Sequence, residues 1–165
     1  MREILFRGQT RRYGEKVRLN GEKIKSNWVY GGIFPQNGDG DFAIIYQQEP
    51  TVKKYPVYAD TVGQYTGLTD KNGTKIFEGD ILKCHDNPKD LVKVVFDEFG
   101  VVDTDTERPV DTVIGWHYEV IPTDELSTVE PFCLSMPLTK SYIEYCHIEV
   151  IGNIHDNPEL LEVKE

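Results

Sequence analysis

Thr61-Val62-Gly63-Gln64-Tyr65-Thr66-Gly67-Leu68-Thr69-Asp70-Lys71-Asn72-Gly73-Thr74-Lys75-Ile76-Phe77-Glu78-Gly79-Asp80-Ile81 carries the punctuation that decides how this chain folds. Asp70-Lys71-Asn72-Gly73 and Glu78-Gly79-Asp80 each set glycine beside Asp or Asn. Glycine enters backbone regions barred to other residues, and short Asx side chains bond to nearby main-chain amides, so both stretches predict tight turns. The second turn stands just before the strand-like Ile81-Leu82-Lys83, and a chain of short strands needs such corners.

The same rhythm continues outward. Segments rich in Val, Ile, Tyr, Phe and Trp, bounded by Gly, Pro, Asn and Asp, occur at Glu3–Arg7, Trp28–Phe34, Phe42–Gln47, Ile81–His85, Val92–Asp97, Val113–Ile121 and Glu149–His155. Asn37-Gly38-Asp39-Gly40-Asp41 tolerates positive φ and predicts a hairpin loop pairing the second segment with the third. Helix signals are few. Asn157 followed by Pro158 and Glu159 reads as an N-cap with proline in first position, and Thr123-Asp124-Glu125-Leu126 as another short turn. Residues 135–146 read both ways: Ser135 can cap a helix carrying Leu138, Tyr142 and Tyr145, while Tyr142–Cys146 also suits a strand. The fold class is mainly β with few short helices.

At 165 residues the chain has the length of one domain or two small ones. Its hydrophobic residues (39%) suffice for a core, while 28% charged residues describe a soluble chain. No apolar run approaches the roughly 18–20 residues that cross a bilayer, and the charged start Met1–Gly8 is unlike a signal peptide. The expectation is a cytoplasmic protein without membrane association. Cys84, Cys133 and Cys146 are an odd count without C-x-x-C spacing, which gives no support to a disulfide framework or a ribbon-type zinc site.

Charge is unevenly spread. Residues 1–55 hold ten Lys/Arg against six Asp/Glu, and residues 56–165 hold eight against twenty-two, within a net charge of −10. That net charge repels phosphate at long range and disfavours general duplex binding, while leaving room for a local basic face.

The opening block, together with Ile151-Gly152-Asn153-Ile154-His155-Asp156-Asn157-Pro158-Glu159-Leu160-Leu161 and the weaker element Trp28-Val29-Tyr30-Gly31, resembles the YopX protein family. Members of that family are small proteins encoded by phages and prophages, and no activity is established for them. The resemblance implies a fold containing a small SH3-like β-barrel. We expect an N-terminal β-rich, basic region over residues 1–60 and an SH3-like barrel over 61–165. Gly63, Gly67, Asp70, Gly73, Gly79, Asp80, Gly152, Asn153, Asn157 and Pro158 are then expected to be structural turn and cap residues rather than ligands.

Catalytic signatures are scarce. Cys84-His85 and Cys146-His147 repeat a pair of zinc-type ligands, but neighbours on a strand face opposite sides, and a reactive thiolate needs a cationic setting that this acidic half lacks. Asp103, Asp105, Glu107 and Asp111 could offer oxygens to a cation, yet Arg108 stands where an EF-hand loop requires glycine, so 97–111 reads as a solvated acidic segment. Neither a phosphate-binding glycine loop nor a G-x-S-x-G elbow occurs. No catalytic, cofactor-binding or metal residue is therefore named.

Two binding functions remain. The first is a non-catalytic phage or prophage interaction protein that meets a protein partner through barrel edges or its acidic surface. The alternative is a nucleic-acid-binding module using the basic N-terminal face, with Arg7, Arg11, Arg12, Lys16 and Arg18 as contacts and Trp28, Tyr30 and Phe34 as stacking surfaces. The plainer reading of those aromatics is that their period-two spacing turns them toward a core. The charge asymmetry and unpaired strand edges also predict a homo-oligomer, most simply a dimer.

Overall fold

The computed structural model describes residues 3–10, 18–19, 22–23, 28–34, 41–48, 50–103, 106, 108–129 and 134–162. The chain is mainly β and divides into two compact units, residues 1–65 and 66–165. The division falls inside a strand, a few residues beyond the expected seam.

The first unit contains β1 (Phe6–Gln9), the short pair β2 (Arg18–Leu19) and β3 (Glu22–Lys23), β4 (Trp28–Phe34), β5 (Phe42–Gln47), β6 (Lys53–Tyr58), a 3₁₀ turn at Ala59–Thr61, and the start of β7 (Gly63–Thr69). Its antiparallel sheet runs β6-β5-β4-β1-β7. The expected hairpin between β4 and β5 forms, with Ile33 opposite Ile45, although the loop that signalled it lies outside the described residues except for Asp41. The expected strand Glu3–Arg7 begins later and reaches Gln9, because pairing with Trp28–Gly31 fixes its register. Thr10 also bridges to Val57, so this end of β1 reaches β6. Such curling requires a missing side chain: a Cβ on Gly8 would lie 2.8 Å from Val57 Cγ2 and 3.2 Å from Ile45 Cδ1. Ile45 and Val57 are fully buried there.

In the second unit the rest of β7 leads to β8 (Lys75–Phe77), β9 (Asp80–Lys83), β10 (Leu91–Val102), β11 (Pro109–Val120), a 3₁₀ turn at Leu126–Thr128, β12 (Met136–Pro137), α1 (Lys140–Tyr145), β13 (Glu149–Asn153) and a 3₁₀ turn at Pro158–Leu161. The antiparallel order is β12-β11-β10-β9-β13. Its core gathers Ile76, Leu82, Val92, Val94, Tyr118, Leu138, Ile143 and Ile148 around Cys84 and Cys146. Among the described residues the ladder is an open sheet with β12 and β13 at its edges.

The two quoted blocks are hydrogen-bonded to each other. Ile154 N donates to Gly79 O at 3.0 Å, and Gly152 and Asn153 pair with Ile81 and Asp80; just ahead of the second block, Lys71 N donates to Ile148 O at 3.0 Å and Val150 N to the Asp70 carboxylate at 3.0 Å. The Asp70 turn forms as its sequence predicts, with Asn72 N and Thr74 N both donating to Asp70 Oδ1 at 2.8 Å. Asp80 accepts from Phe77 N at 2.7 Å, and Asn153 Oδ1 accepts from His155 N at 3.0 Å and Asp156 N at 2.9 Å. Gly67, Gly73 and Gly79 adopt positive φ, whereas Gly63 is an ordinary strand residue opposite Arg7. Gly152 serves a close approach instead, since a Cβ there would sit 2.3 Å from Asn157 Oδ1.

One capping expectation holds in position but not in side-chain bonding, and another is corrected. The turn at Pro158 forms with Asn157 at its N-cap position and proline first, but the Asn157 side chain makes no cap bond; its Oδ1 accepts from Asn153 N at 3.3 Å. The ambiguous 135–146 segment resolves into α1, capped by Thr139 through a 3.2 Å bond from Tyr142 N rather than by Ser135. The hydroxyl nearest the helix start is the one that reaches an orphan amide.

Candidate functional site

Strands β10 and β11 are much longer than the expected Val92–Asp97 and Val113–Ile121. Only their bases join the sheet: β9 pairs with Leu91–Lys93, and β12 with His117 and Tyr118. Beyond that, Phe96 faces Trp116, Glu98 faces Ile114 and Gly100 faces Thr112 in a two-stranded arm. Among the described residues no third strand pairs with 95–102 or 109–115.

Packing stiffens the base of the arm. Phe96 and Trp116 meet edge to face at 4.8 Å, and Phe99 stacks on the buried His117 at 4.6 Å. At the base Phe96 is half exposed, and farther out Val110 and Ile114 are 66% and 71% exposed. Asp97, Glu98 and Asp111 surround them on the same two strands. Asp103 is a turn residue, its Oδ1 accepting from Thr106 N at 2.7 Å and Thr106 Oγ1 at 2.8 Å. Asp105 and Glu107 lie outside the described residues.

The two Cys-His pairs, distant in sequence, come together: His85 N donates to Cys146 O at 2.6 Å. Cys84 and Cys146 point into the core. Burial pushes the Cys84 thiol up to about 12 and raises that of Cys146, so both stay protonated near neutral pH. Burial also holds the phenol of Tyr118 above its ordinary range and that of Tyr142 up to about 12. The imidazoles point outward, His85 Nδ1 to Asp90 at 2.5 Å and His147 Nδ1 to Asp86 at 3.3 Å, and Lys71 pairs with the same Asp86. His85, Asp86 and His147 all adopt left-handed backbone, with φ of 53°, 54° and 50°, costing about 1 kcal/mol each. Among the described residues no group of three or more His, Cys, Asp and Glu is arranged to hold a metal ion.

In the first unit Arg7 is only 7% exposed and lies over the Trp28 ring at 4.7 Å, so its guanidinium faces an aromatic ring rather than open solvent. Arg18 lies in β2, while Arg11, Arg12 and Lys16 are outside the described residues. Tyr30 and Phe34 are each 44% exposed, which corrects the expectation that these aromatics turn to a core. The opposite strand face, carrying Gly31, is the inward one; a Cβ on Gly31 would meet Tyr46 O at 2.1 Å. Tyr46 and Lys54 extend this outer face through strand register, which no spacing in the sequence signals.

No helix among the described residues is long and apolar enough to cross a membrane. No curated protein matches the chain. Among solved structures it is similar to protein EF1440 from Enterococcus faecalis, with 24% identity, 97% of this chain and 99% of that chain covered, and a TM-score of 0.43. The model of the YopX protein family matches residues 22–162, which takes in both hydrogen-bonded blocks and the arm between them, and the chain belongs to that family.

Proposed function

We propose that this protein is a non-catalytic interaction protein of phage or prophage origin, acting in the host cytoplasm and binding a protein partner through the β10–β11 arm. The observation that carries this reading is the arm itself, with ladder positions that no other described strand pairs and exposed Phe96, Val110 and Ile114 set among carboxylates. An extended partner segment can add to such an edge through main-chain hydrogen bonds, with the apolar side chains supplying burial. The acids select a basic partner and repel acidic ones. A basic site on a host nucleic-acid-binding protein has the matching chemistry. The SH3-like reading of the second unit belongs with this proposal, supported by a meander of four strands whose fifth returns to pair with the first.

The test is photocrosslinking in host lysate from a reactive group placed at position 114, with the same group at the exposed Lys140 as control. The expected result is one basic protein captured from position 114 and not from 140, with capture lost in Glu98→Lys. Equal capture from both positions, or turnover of a metabolite by the pure protein, would overturn the reading.

A further inference from the structure

Independently of the arm, we infer that the outer face of β4 and β5 in the first unit is a stacking platform for single-stranded nucleic acid. Strand β4 is interior to its sheet, and its outward positions run Trp28, Tyr30, Gly32 and Phe34. Gly32 stands opposite Tyr46, which in turn stands opposite Lys54. The missing side chain at Gly32 is what seats the Tyr46 ring, since a Cβ there would come within 2.3 Å of Tyr46 Cζ. Phe34 then meets Tyr46 with ring centroids 4.8 Å apart, and Lys54 Nζ lies 5.3 Å from the centre of the Phe34 ring.

This combination matches the chemistry of an unpaired strand. Tyr30 and Phe34 each keep 44% of their surface exposed, leaving area on which bases can stack, and Lys54 is placed to meet the phosphate between them. Stacking tolerates any base, so the expected ligand is chosen by being single-stranded rather than by sequence. The excess of basic residues in positions 1–55 favours a polyanion over the other flat ligands that aromatic faces hold.

The test is fluorescence anisotropy of the full chain with labelled oligo(dT) and oligo(U) of about 16 nucleotides, near the upper site size of a small single-strand-binding domain. Both should bind at low salt and weaken as salt rises. Phe34→Ala should lower affinity about tenfold, while Phe34→Tyr retains it. Lys54→Glu should weaken binding more than Lys53→Glu, because Lys53 lies on the opposite face of β6. Binding to only one of the two strands keeps the proposal and names the natural ligand. No binding at low salt, an unchanged Phe34→Ala with native circular dichroism, or equal losses for Lys53→Glu and Lys54→Glu would each overturn it.

Discussion

Asp70 and Val150 stand 80 residues apart, yet the Asp70 carboxylate accepts the Val150 amide at 3.0 Å. The other oxygen of the same group holds Asn72 N and Thr74 N at 2.8 Å each, and the residue is 5% exposed. One buried carboxylate thus shapes a turn in the first family block and clamps the strand β13 that leads into the second. Asp70→Ala should cost about 3 kcal/mol, since three donors lose a charged acceptor and the Val150 amide is left without one. Urea denaturation measures this, and a loss under about 1 kcal/mol would mean that water replaces the clamp.

Gly152→Ala should destabilise by about 1–3 kcal/mol through contact with Asn157 rather than through backbone strain. A double-mutant cycle with Asn157→Ala separates the two causes, because removing Asn157 Oδ1 should recover part of the loss. Strict additivity would show that the contact is not the cause.

Lys71 and its partners set a pH dependence. Its hydrogen bond holds the Asp86 carboxyl below the ordinary 3.8, with His147 adding to the effect, and Lys83 followed by Lys71 holds Glu149 below 4.5. Lowered carboxyl values stabilise the fold above the unfolded value and lose that effect as pH falls through the folded one. The ammonium of Lys71 is raised above 10.5, chiefly by Asp86, so its contribution is lost only as pH rises past that point. The difference in urea midpoint between the protein and Lys71→Met should therefore be steady near neutral pH and shrink in acid below 3.8 and in alkali above 10.5. A difference that stays constant into acid would place the effect in packing.

Buried, protonated thiols should be slow to alkylate. In a Cys133→Ser background, iodoacetamide at about pH 8 should modify Cys84 and Cys146 no faster than the chain unfolds, and both rapidly in urea. Fast labelling of the folded protein would show a reactive thiol after all.

Arm ladder positions that no other described strand pairs, and the opposite charges of residues 1–55 and 56–165, lead us to expect a homodimer. Light scattering should give a mass near twice 18.9 kDa, falling as salt is raised because exposed charge pairs are screened. A mass near 18.9 kDa across micromolar concentrations would reject it.

The sequence by itself determined the features that are local. Asp70-Lys71-Asn72-Gly73 becomes a turn because the donors its carboxylate needs lie within four residues. Pro158 opens a 3₁₀ turn because its ring presets φ. The mainly β class follows from many such corners with β-branched and aromatic residues between them, and the family from two blocks in which those corners are spelled out. What tertiary structure decided depends on residues that sequence spacing keeps apart. Asn157 holds the cap position, yet its side chain reaches back to Asn153 rather than to the turn's own amides, because Gly152 leaves room for it. Residues 98–102 and 109–112 gave no strand signal and nevertheless pair, since each supplies the other's ladder and an exposed arm has no periodic core face to announce it. Tyr46 and Lys54 join Phe34 only through the register of three strands, and that register is fixed by the buried side of the sheet, where Gly8, Ile45 and Val57 meet.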